Sequence, residues 1–148
     1  IHQRLDKLAA HLLKKELWQA DDEATFQQVR TIISKTLAHH HSDASLLHGD
    51  LWGGNYMFTA DGQPALIDPA AVYGDRELDI GVTTVFGGFT QDFYTAYQEV
   101  YPLDAGYHFR LDFYRLYYLM VHLDKFGMGY AGSVATVMNQ ILDHGLAE

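Results

Sequence analysis

Residues 48–55 read HGDLWGGN, and this stretch (the 48–55 loop) decides which fold the sequence predicts. Its spacing, H-x-D-x-x-x-x-N, is typical of a kinase catalytic loop, in which the aspartate receives or orients the hydroxyl proton and the asparagine holds Mg²⁺. Asp50 is therefore the candidate catalytic base and Asn55 a candidate metal ligand. A simpler alternative is that these two side chains only hydrogen-bond a tight turn, which both residue types do well.

A further aspartate follows at the end of a predicted β-hairpin. Residues 55–59 and 65–68 read as two short strands around Ala60-Asp61-Gly62, which is a turn signal. Because a hairpin folds back on itself, Asp68 can return to within coordination distance of Asn55. Carboxylate and amide oxygens suit Mg²⁺. We therefore expect Asn55 and Asp68 to be the metal ligands.

The remainder of the chain carries helical patterns. Leucines at positions 5, 8, 12 and 13 predict a first helix from Ile1 to about Leu17, and Asp21-Asp22 is expected to cap a second one. Later helices are predicted to begin at Glu77, to run over Asp92–Tyr101 after a Thr90 cap, over Tyr107–Phe126, and around Val134–Leu142. The predicted fold class is α+β and mainly helical, with one small β-hairpin after the 48–55 loop.

Composition narrows the classes of partner. The 148 residues are the size of one domain, and the formal net charge of −9 does not favour nucleic acid or an anionic membrane surface. The sequence has no cysteine, which excludes disulfides and thiolate metal sites and agrees with a reducing, cytoplasmic compartment. No apolar stretch is long enough to predict a transmembrane helix. Oligomeric state is not indicated.

Three stretches together resemble the fructosamine kinase (ketosamine 3-kinase) family: HGDLWGGN, IDPAAVY at 67–73 and GDRELDIG at 74–81. That family belongs to the aminoglycoside phosphotransferase and choline kinase-like fold, which is similar to protein kinases. The resemblance implies that residues 1–148 form a protein-kinase-like C-terminal lobe. It also implies ATP-dependent phosphorylation of a sugar hydroxyl on a free or protein-bound ketosamine, with ATP and Mg²⁺ as cofactors.

The resemblance also implies roles for residues around the loop. His48 is expected to brace the loop, and Asp79 to accept hydrogen bonds from the loop backbone. Trp52 is expected to form a platform for the sugar, because a flat apolar ring suits the face of a sugar. A core tryptophan beneath the loop is the alternative.

Substrate-binding residues are expected downstream of the hairpin, at Asp75, Arg76 and Glu77. Many relatives carry histidine at the position of Asp75, so the extra carboxylate leaves the preferred substrate open. On the aromatic-rich helix, possible substrate contacts are Arg115, His122 and Asp124.

A kinase of this type also needs a glycine-rich phosphate loop and a lysine on an N-terminal lobe. Neither precedes the 48–55 loop, and the chain starts at Ile1 without a methionine, so we expect that the nucleotide-binding lobe is absent from this chain and that the chain binds ATP weakly. The run Gly127–Gly132 matches G-x-G-x-x-G, but it follows a helix and is better explained as a helix-ending turn.

Two other functions fit the same residues. An aminoglycoside- or choline-type phosphotransferase would share the loop and differ in its acceptor. A kinase-like remnant would keep the fold and act as a non-catalytic binding module.

Overall fold

A computed structural model describes residues 1–147. Its elements follow in chain order: α1 (Leu5–Lys14), α2 (Ala20–Leu37), β1 (Ser45–Leu47), β2 (Tyr56–Phe58), β3 (Pro64–Leu66), β4 (Val72–Gly74), α3 (Glu77–Thr83), α4 (Gln91–Val100), α5 (Tyr107–Phe126), a 3₁₀ turn (Met128–Tyr130) and α6 (Ala131–Leu146). The predicted α+β, mainly helical class is confirmed. Within residues 1–147, no helix combines the length and the apolar character that crossing a bilayer requires.

The chain divides into two compact units. One unit contains Ile1–His41 together with the chain from Asp112 onward, and the other contains Ser42–Leu111. The division falls inside α5, whose first residues belong to the unit that carries the 48–55 loop.

The first unit is a set of packed helices. The close packing of α2 with α6 is permitted by Gly145, where an added Cβ would lie 2.7 Å from the Ile32 side chain. Trp18 is 4% exposed and its ring packs on Phe26 at 5.4 Å between centroids. Apolar residues at three- and four-residue intervals are buried on each helix of this unit: Leu5, Ala9 and Leu12; Phe26, Val29 and Ile33; Leu116, Met120 and Leu123; Val134, Val137, Met138 and Ile141.

Several helix boundaries differ from the sequence prediction, and two of these differences have a visible cause. Helix α1 ends at Lys14 rather than near Leu17, because the backbone at Glu16 takes a left-handed conformation with φ 59°. The N-cap of α2 is Gln19 rather than Asp21 or Asp22. Asp22 instead accepts a hydrogen bond from the Gln19 N–H at 2.8 Å, so it is the third residue of a capping box.

Ion pairs join the helices of this unit. The Arg30 guanidinium donates to both oxygens of Asp6, at 2.7 and 2.9 Å, and so links α2 to α1. Asp124 on α5 lies 2.8 Å from the Lys15 ammonium and 3.1 Å from the His11 ring. The hydrogen bond from Lys15 holds the pKa of Asp124 below its usual value. Asp124, considered as a substrate contact, is thus engaged in an ion-pair cluster.

We predict that replacing Asp124 with Asn lowers the free energy of unfolding near pH 7 by about 1 kcal/mol or less, as expected for a partly exposed pair. Because the folded-state pKa is lowered, this stabilisation is fully present above the unfolded value of about 4 and is lost as the pH falls through the folded value. Urea denaturation of both proteins at several pH values measures it. A stability difference that persists unchanged at the lowest pH would contradict the assignment.

In the second unit the predicted hairpin is present and somewhat shorter. Strands β2 and β3 pair antiparallel, with Tyr56 opposite Leu66 and Phe58 opposite Pro64. The turn closes through a 2.8 Å hydrogen bond from the Thr59 N–H to the Gln63 carbonyl, and Gly62 supplies the positive φ of 81° that the turn needs.

A second strand pair was not predicted. Strands β1 and β4 are antiparallel, with Ser45 opposite Gly74 and Leu47 opposite Val72. Each strand has three residues, which is too short for an alternating pattern to show in the sequence. The pair has a direct consequence for the site: the 48–55 loop begins where β1 ends, and α3 begins shortly after β4.

Helix α3 is anchored by a buried ion pair. Glu77 is 2% exposed and Arg110 is 6% exposed. The guanidinium donates to both carboxylate oxygens, at 2.7 and 2.9 Å, and also to the Ala105 carbonyl at 2.8 Å. The hydrogen bond to Glu77 raises the pKa of Arg110. The pair fixes the start of α3 against the start of α5.

Replacing Arg110 with Met is expected to lower the free energy of unfolding by about 3–5 kcal/mol, because it leaves the Glu77 carboxylate buried without a counter-charge. The double variant Glu77→Leu/Arg110→Met should be less destabilised than the sum of the two single variants, since neither charge remains. Urea denaturation gives all four stabilities. Asp112→Asn is the matched control, because the Asp112–Arg115 pair is partly exposed and should contribute about 1 kcal/mol or less. Additive single effects would exclude the pairing.

Candidate active site

The 48–55 loop closes on itself through Asn55. The Asn55 side chain is buried, and its amide nitrogen donates to the Asp50 carbonyl at 2.8 Å and lies 3.3 Å from the Asp50 carboxylate. The Asn55 N–H donates to the Trp52 carbonyl at 2.9 Å. The structure therefore brings together the two residues that the motif singled out, the candidate base and the candidate metal ligand.

His48 connects the loop to the end of the hairpin. Its ring is buried, with Nε2 2.6 Å from the Ile67 carbonyl oxygen, and Nδ1 accepts the Asp50 N–H at 3.2 Å. A nitrogen that accepts cannot carry a proton, so this pattern places the proton on Nε2, which donates to Ile67. His48 thus contacts the chain on both sides of the candidate site.

Asp79, on α3, lies beneath the start of the loop. Its two carboxylate oxygens accept the N–H groups of His48 at 2.8 Å and Gly49 at 2.9 Å. These contacts are of the kind that the family resemblance implies for Asp79. Gly49 has φ 84°, and an added Cβ would collide with the Ala70 carbonyl, so a side chain at this position is excluded on two grounds.

The position of Asp68 is set by the hydrogen bonds of the preceding residue, Ile67. The Ile67 N–H donates to the Asn55 carbonyl at 3.0 Å, and the Ile67 carbonyl contacts the His48 ring. Asp68 follows directly and is exposed, with a left-handed φ of 50°. A non-glycine residue in this region is uncommon, and such conformations cluster at functional sites.

Trp52 lies on the surface of this unit rather than in its core. Its side chain is 40% exposed, its ring covers Gly54 so closely that an added Cβ would collide with it, and it meets Phe86 edge to face at 6.5 Å. The alternative of a core tryptophan therefore does not hold here, and the role as a sugar platform stays a prediction.

The side chains of the segment expected to bind substrate have partners within the protein. Asp75 accepts the Glu77 N–H at 2.9 Å at the start of α3, and Glu77 is buried against Arg110. The Arg76 guanidinium stacks on the Tyr101 ring at 3.6 Å and donates to the Tyr101 carbonyl at 2.6 Å. A substrate contact by Glu77 conflicts with its burial. Substrate contacts by Asp75 and Arg76 remain predictions.

The two remaining candidates on α5 also have local partners. Arg115 pairs with Asp112, and the His122 ring lies 2.8 Å from the Tyr118 carbonyl. Gly127 ends α5 with φ 88°, the 3₁₀ turn follows, and the G-x-G-x-x-G run finishes in the first two residues of α6. The run therefore connects two helices and does not follow a strand.

Sequence reasoning missed two contacts of the segment after α3, one with the residue that follows the loop and one with the loop itself. The Tyr56 hydroxyl donates to the Gly88 carbonyl at 2.7 Å, and Gly88 packs directly on Gly53. The signal in the sequence was the run Phe86-Gly87-Gly88-Phe89, a glycine pair between two aromatic residues after α3.

Comparison with solved structures defines the fold as kinase-like. A candidate fructosamine-3-kinase from Thermobifida fusca YX-ER1 superimposes with a TM-score of 0.81 at 28% identity, over 95% of this chain and 48% of that chain. A candidate fructosamine-3-kinase from Haemophilus somnus 129PT gives 0.79 at 32% identity, over 94% and 46%.

Sequence comparison gives the family. The family model described as fructosamine kinase matches residues 1–144, and the chain therefore belongs to the fructosamine kinase family. A probable ketoamine kinase of Staphylococcus aureus (strain NCTC 8325 / PS 47) is 59% identical over 142 residues, covering 96% of this chain and 49% of the relative. The chloroplastic protein-ribulosamine 3-kinase of Arabidopsis thaliana is 36% identical over 140 residues, covering 93% and 43%. The chain spans about half the length of these relatives.

Replacing Asp79 with Asn is expected to lower the free energy of unfolding by about 1–3 kcal/mol, because at least one of the two loop N–H groups loses its acceptor. Hydrogen exchange is the specific measurement: exchange at the His48 and Gly49 amides should accelerate more than exchange in α4. Asp92→Asn, on the exposed first turn of α4, is the control. Unchanged exchange at both loop amides would show that Asp79 does not hold the loop.

Proposed function

We propose that the full-length protein containing this chain transfers the γ-phosphoryl group of ATP to a sugar hydroxyl of a ketosamine, in the family the 3-hydroxyl. The observation that carries the proposal is the contact of Asn55 with Asp50 inside a loop whose backbone is held by the Asp79 carboxylate. The relatives named ketoamine kinase and ribulosamine 3-kinase support the choice of acceptor.

Asp50 is the proposed general base, which accepts the proton of the acceptor hydroxyl. The acceptor hydroxyl oxygen forms a bond to the γ-phosphorus, the bond from that phosphorus to the bridging oxygen of ADP breaks, and the hydroxyl proton passes to the Asp50 carboxylate. The orientation of Asp50 follows from its neighbours, because its carbonyl accepts from Asn55 and its N–H is bound by the His48 ring.

Asn55 and Asp68 are the proposed metal ligands, and their chemistry fits Mg²⁺. The Asn55 amide nitrogen donates to Asp50, which leaves the amide oxygen as the ligand atom. The Asp68 carboxylate is exposed beyond the end of the hairpin. Both are hard oxygen donors. A bound Mg²⁺ ion would supply charge neutralisation at the phosphate oxygens.

The acceptor is the feature that separates this proposal from its alternatives. A ketosamine carries a sugar and an amine, and the exposed Trp52 ring in the loop suits the apolar face of a sugar. The net charge of −9 is compatible with an amine-bearing acceptor, although it suits an aminoglycoside or choline equally well. A non-catalytic remnant would not need Asp50, Asn55 and Asp68 together.

The test is Asp50→Asn in the full-length protein. Phosphorylation of a ketosamine with ATP and Mg²⁺ should fall by about 10²–10⁴-fold in kcat, because general base catalysis is lost while the side chain keeps its size. Asp43→Asn, in the exposed segment before β1, is the control and should retain wild-type kcat. Ketosamines, aminoglycosides and choline are screened in parallel, with and without Mg²⁺.

Three results would overturn the proposal. Near wild-type kcat in Asp50→Asn removes the assignment of the base. Preferred phosphorylation of an aminoglycoside or of choline removes the acceptor. No phosphorylation of any acceptor by the wild-type protein favours the binding module.

A further inference from the structure

The segment after α3 touches the 48–55 loop backbone to backbone. An added Cβ on Gly88 would lie 2.9 Å from Gly53 Cα, and an added Cβ on Gly53 would lie 3.2 Å from Gly88 Cα. The contact at Gly88 is too short for a side chain unless the backbone shifts, and the contact at Gly53 leaves little room for one; Gly88 also has φ 94°. Gly53 lies between Asp50 and Asn55, so this contact fixes the stretch that connects the candidate base to the candidate metal ligand.

The glycine contact is held from a second direction. The Tyr56 hydroxyl donates to the Gly88 carbonyl at 2.7 Å, and the Tyr56 ring packs on Phe89 at 5.2 Å between centroids. Tyr56 follows Asn55 in sequence and is the first residue of β2. The segment after α3 is therefore anchored both to the 48–55 loop, at Gly53, and to the first residue of β2, which follows the loop directly.

This anchoring sets the position of Phe86. Its ring is 46% exposed and meets the Trp52 ring at an interplanar angle of 82°. Trp52 is itself seated against Gly54. Two exposed aromatic rings at right angles form a corner with two apolar walls, which we call the aromatic corner (Trp52 and Phe86). One wall of the corner, Trp52, belongs to the 48–55 loop that carries Asp50.

The shape of the corner suggests what it binds. A sugar with its apolar face on one ring would direct an attached group toward the second ring. In a ketosamine the group attached to the sugar is the amine together with its substituent. Resting on the proposed function, we propose that Phe86 is a specificity-determining residue that contacts an apolar amine substituent of the acceptor. Gly88 is a positioning residue that seats this segment on the 48–55 loop.

The experiment compares two acceptors in the full-length protein, the fructosyl derivatives of glycine and of phenylalanine, which differ by a benzyl group. The wild-type protein should show the higher kcat/KM with the phenylalanine derivative. Phe86→Ala should reduce the ratio of the two kcat/KM values by about tenfold, the effect of one lost aromatic contact. Phe86→Tyr keeps the aromatic ring, so it should retain the wild-type ratio of the two kcat/KM values. A merely structural role for Phe86 would lower both values equally and leave the ratio unchanged.

The positioning role of Gly88 is tested by comparing alanine variants of Gly88 and of its neighbour Gly87. Gly88→Ala should lower kcat for both acceptors by about 10²-fold, because a small displacement of Gly53 moves the segment between Asp50 and Asn55. Gly87→Ala is the matched control: Gly87 also has a positive φ, of 74°, but an added Cβ meets nothing within 4 Å among the described residues. Gly87→Ala therefore introduces the backbone strain without the collision, and it should retain most of the kcat. Circular dichroism and thermal unfolding of each variant are recorded alongside.

The outcomes separate the two proposals. If the wild-type protein phosphorylates neither derivative, the proposed function and this inference both fail. If it phosphorylates both with a ratio that Phe86→Ala does not change, the function stands and the specificity role of Phe86 is wrong. If Gly88→Ala and Gly87→Ala lower kcat equally, strain rather than contact is responsible, and the positioning role of Gly88 is wrong.

Discussion

The carboxylate of Asp79 accepts hydrogen bonds from two consecutive backbone N–H groups, those of His48 and Gly49, and the arrangement of the 48–55 loop depends on this interaction. An ionised carboxylate has two acceptor oxygens and binds N–H groups more strongly than a neutral acceptor does. The geometry also requires glycine at position 49, where the backbone is left-handed and lies against Ala70. The Asp79 carboxylate and Gly49, which are distant in sequence, therefore together determine the backbone conformation at the start of the loop.

The position of Asp79 depends in turn on how α3 is held. The Asp75 side chain accepts the Glu77 N–H at the first turn, and Glu77 is bound by Arg110 out of contact with solvent. A buried ion pair contributes little net stability compared with apolar packing, but removing one partner is strongly destabilising because the other charge stays buried. The strand pair of β1 with β4 adds a second constraint, since it brings the start of the loop and the approach to α3 side by side.

Local spacing explains why several predictions are confirmed. The β2–β3 hairpin and the family follow from residues close together in the chain, whose pattern is legible without the fold. The predicted helix boundaries were less accurate. Helix α2 starts at a capping box formed by Gln19 and Asp22, and the neighbouring acidic residues in the sequence were equally plausible caps. The pairing of β1 with β4 was missed, because two three-residue strands distant in sequence have no periodicity to reveal them.

The sequence by itself determined which residues could carry chemistry, since Asp50, Asn55 and Asp68 have side chains suited to proton and metal binding at a characteristic spacing. Only the tertiary structure decided which of the neighbouring polar residues are used for folding. Glu77 is charged and close in sequence to the site, yet it is buried against Arg110, whereas Trp52 is apolar and exposed. Burial and pairing depend on contacts between elements that are far apart in the chain, so the order of residues alone does not specify them.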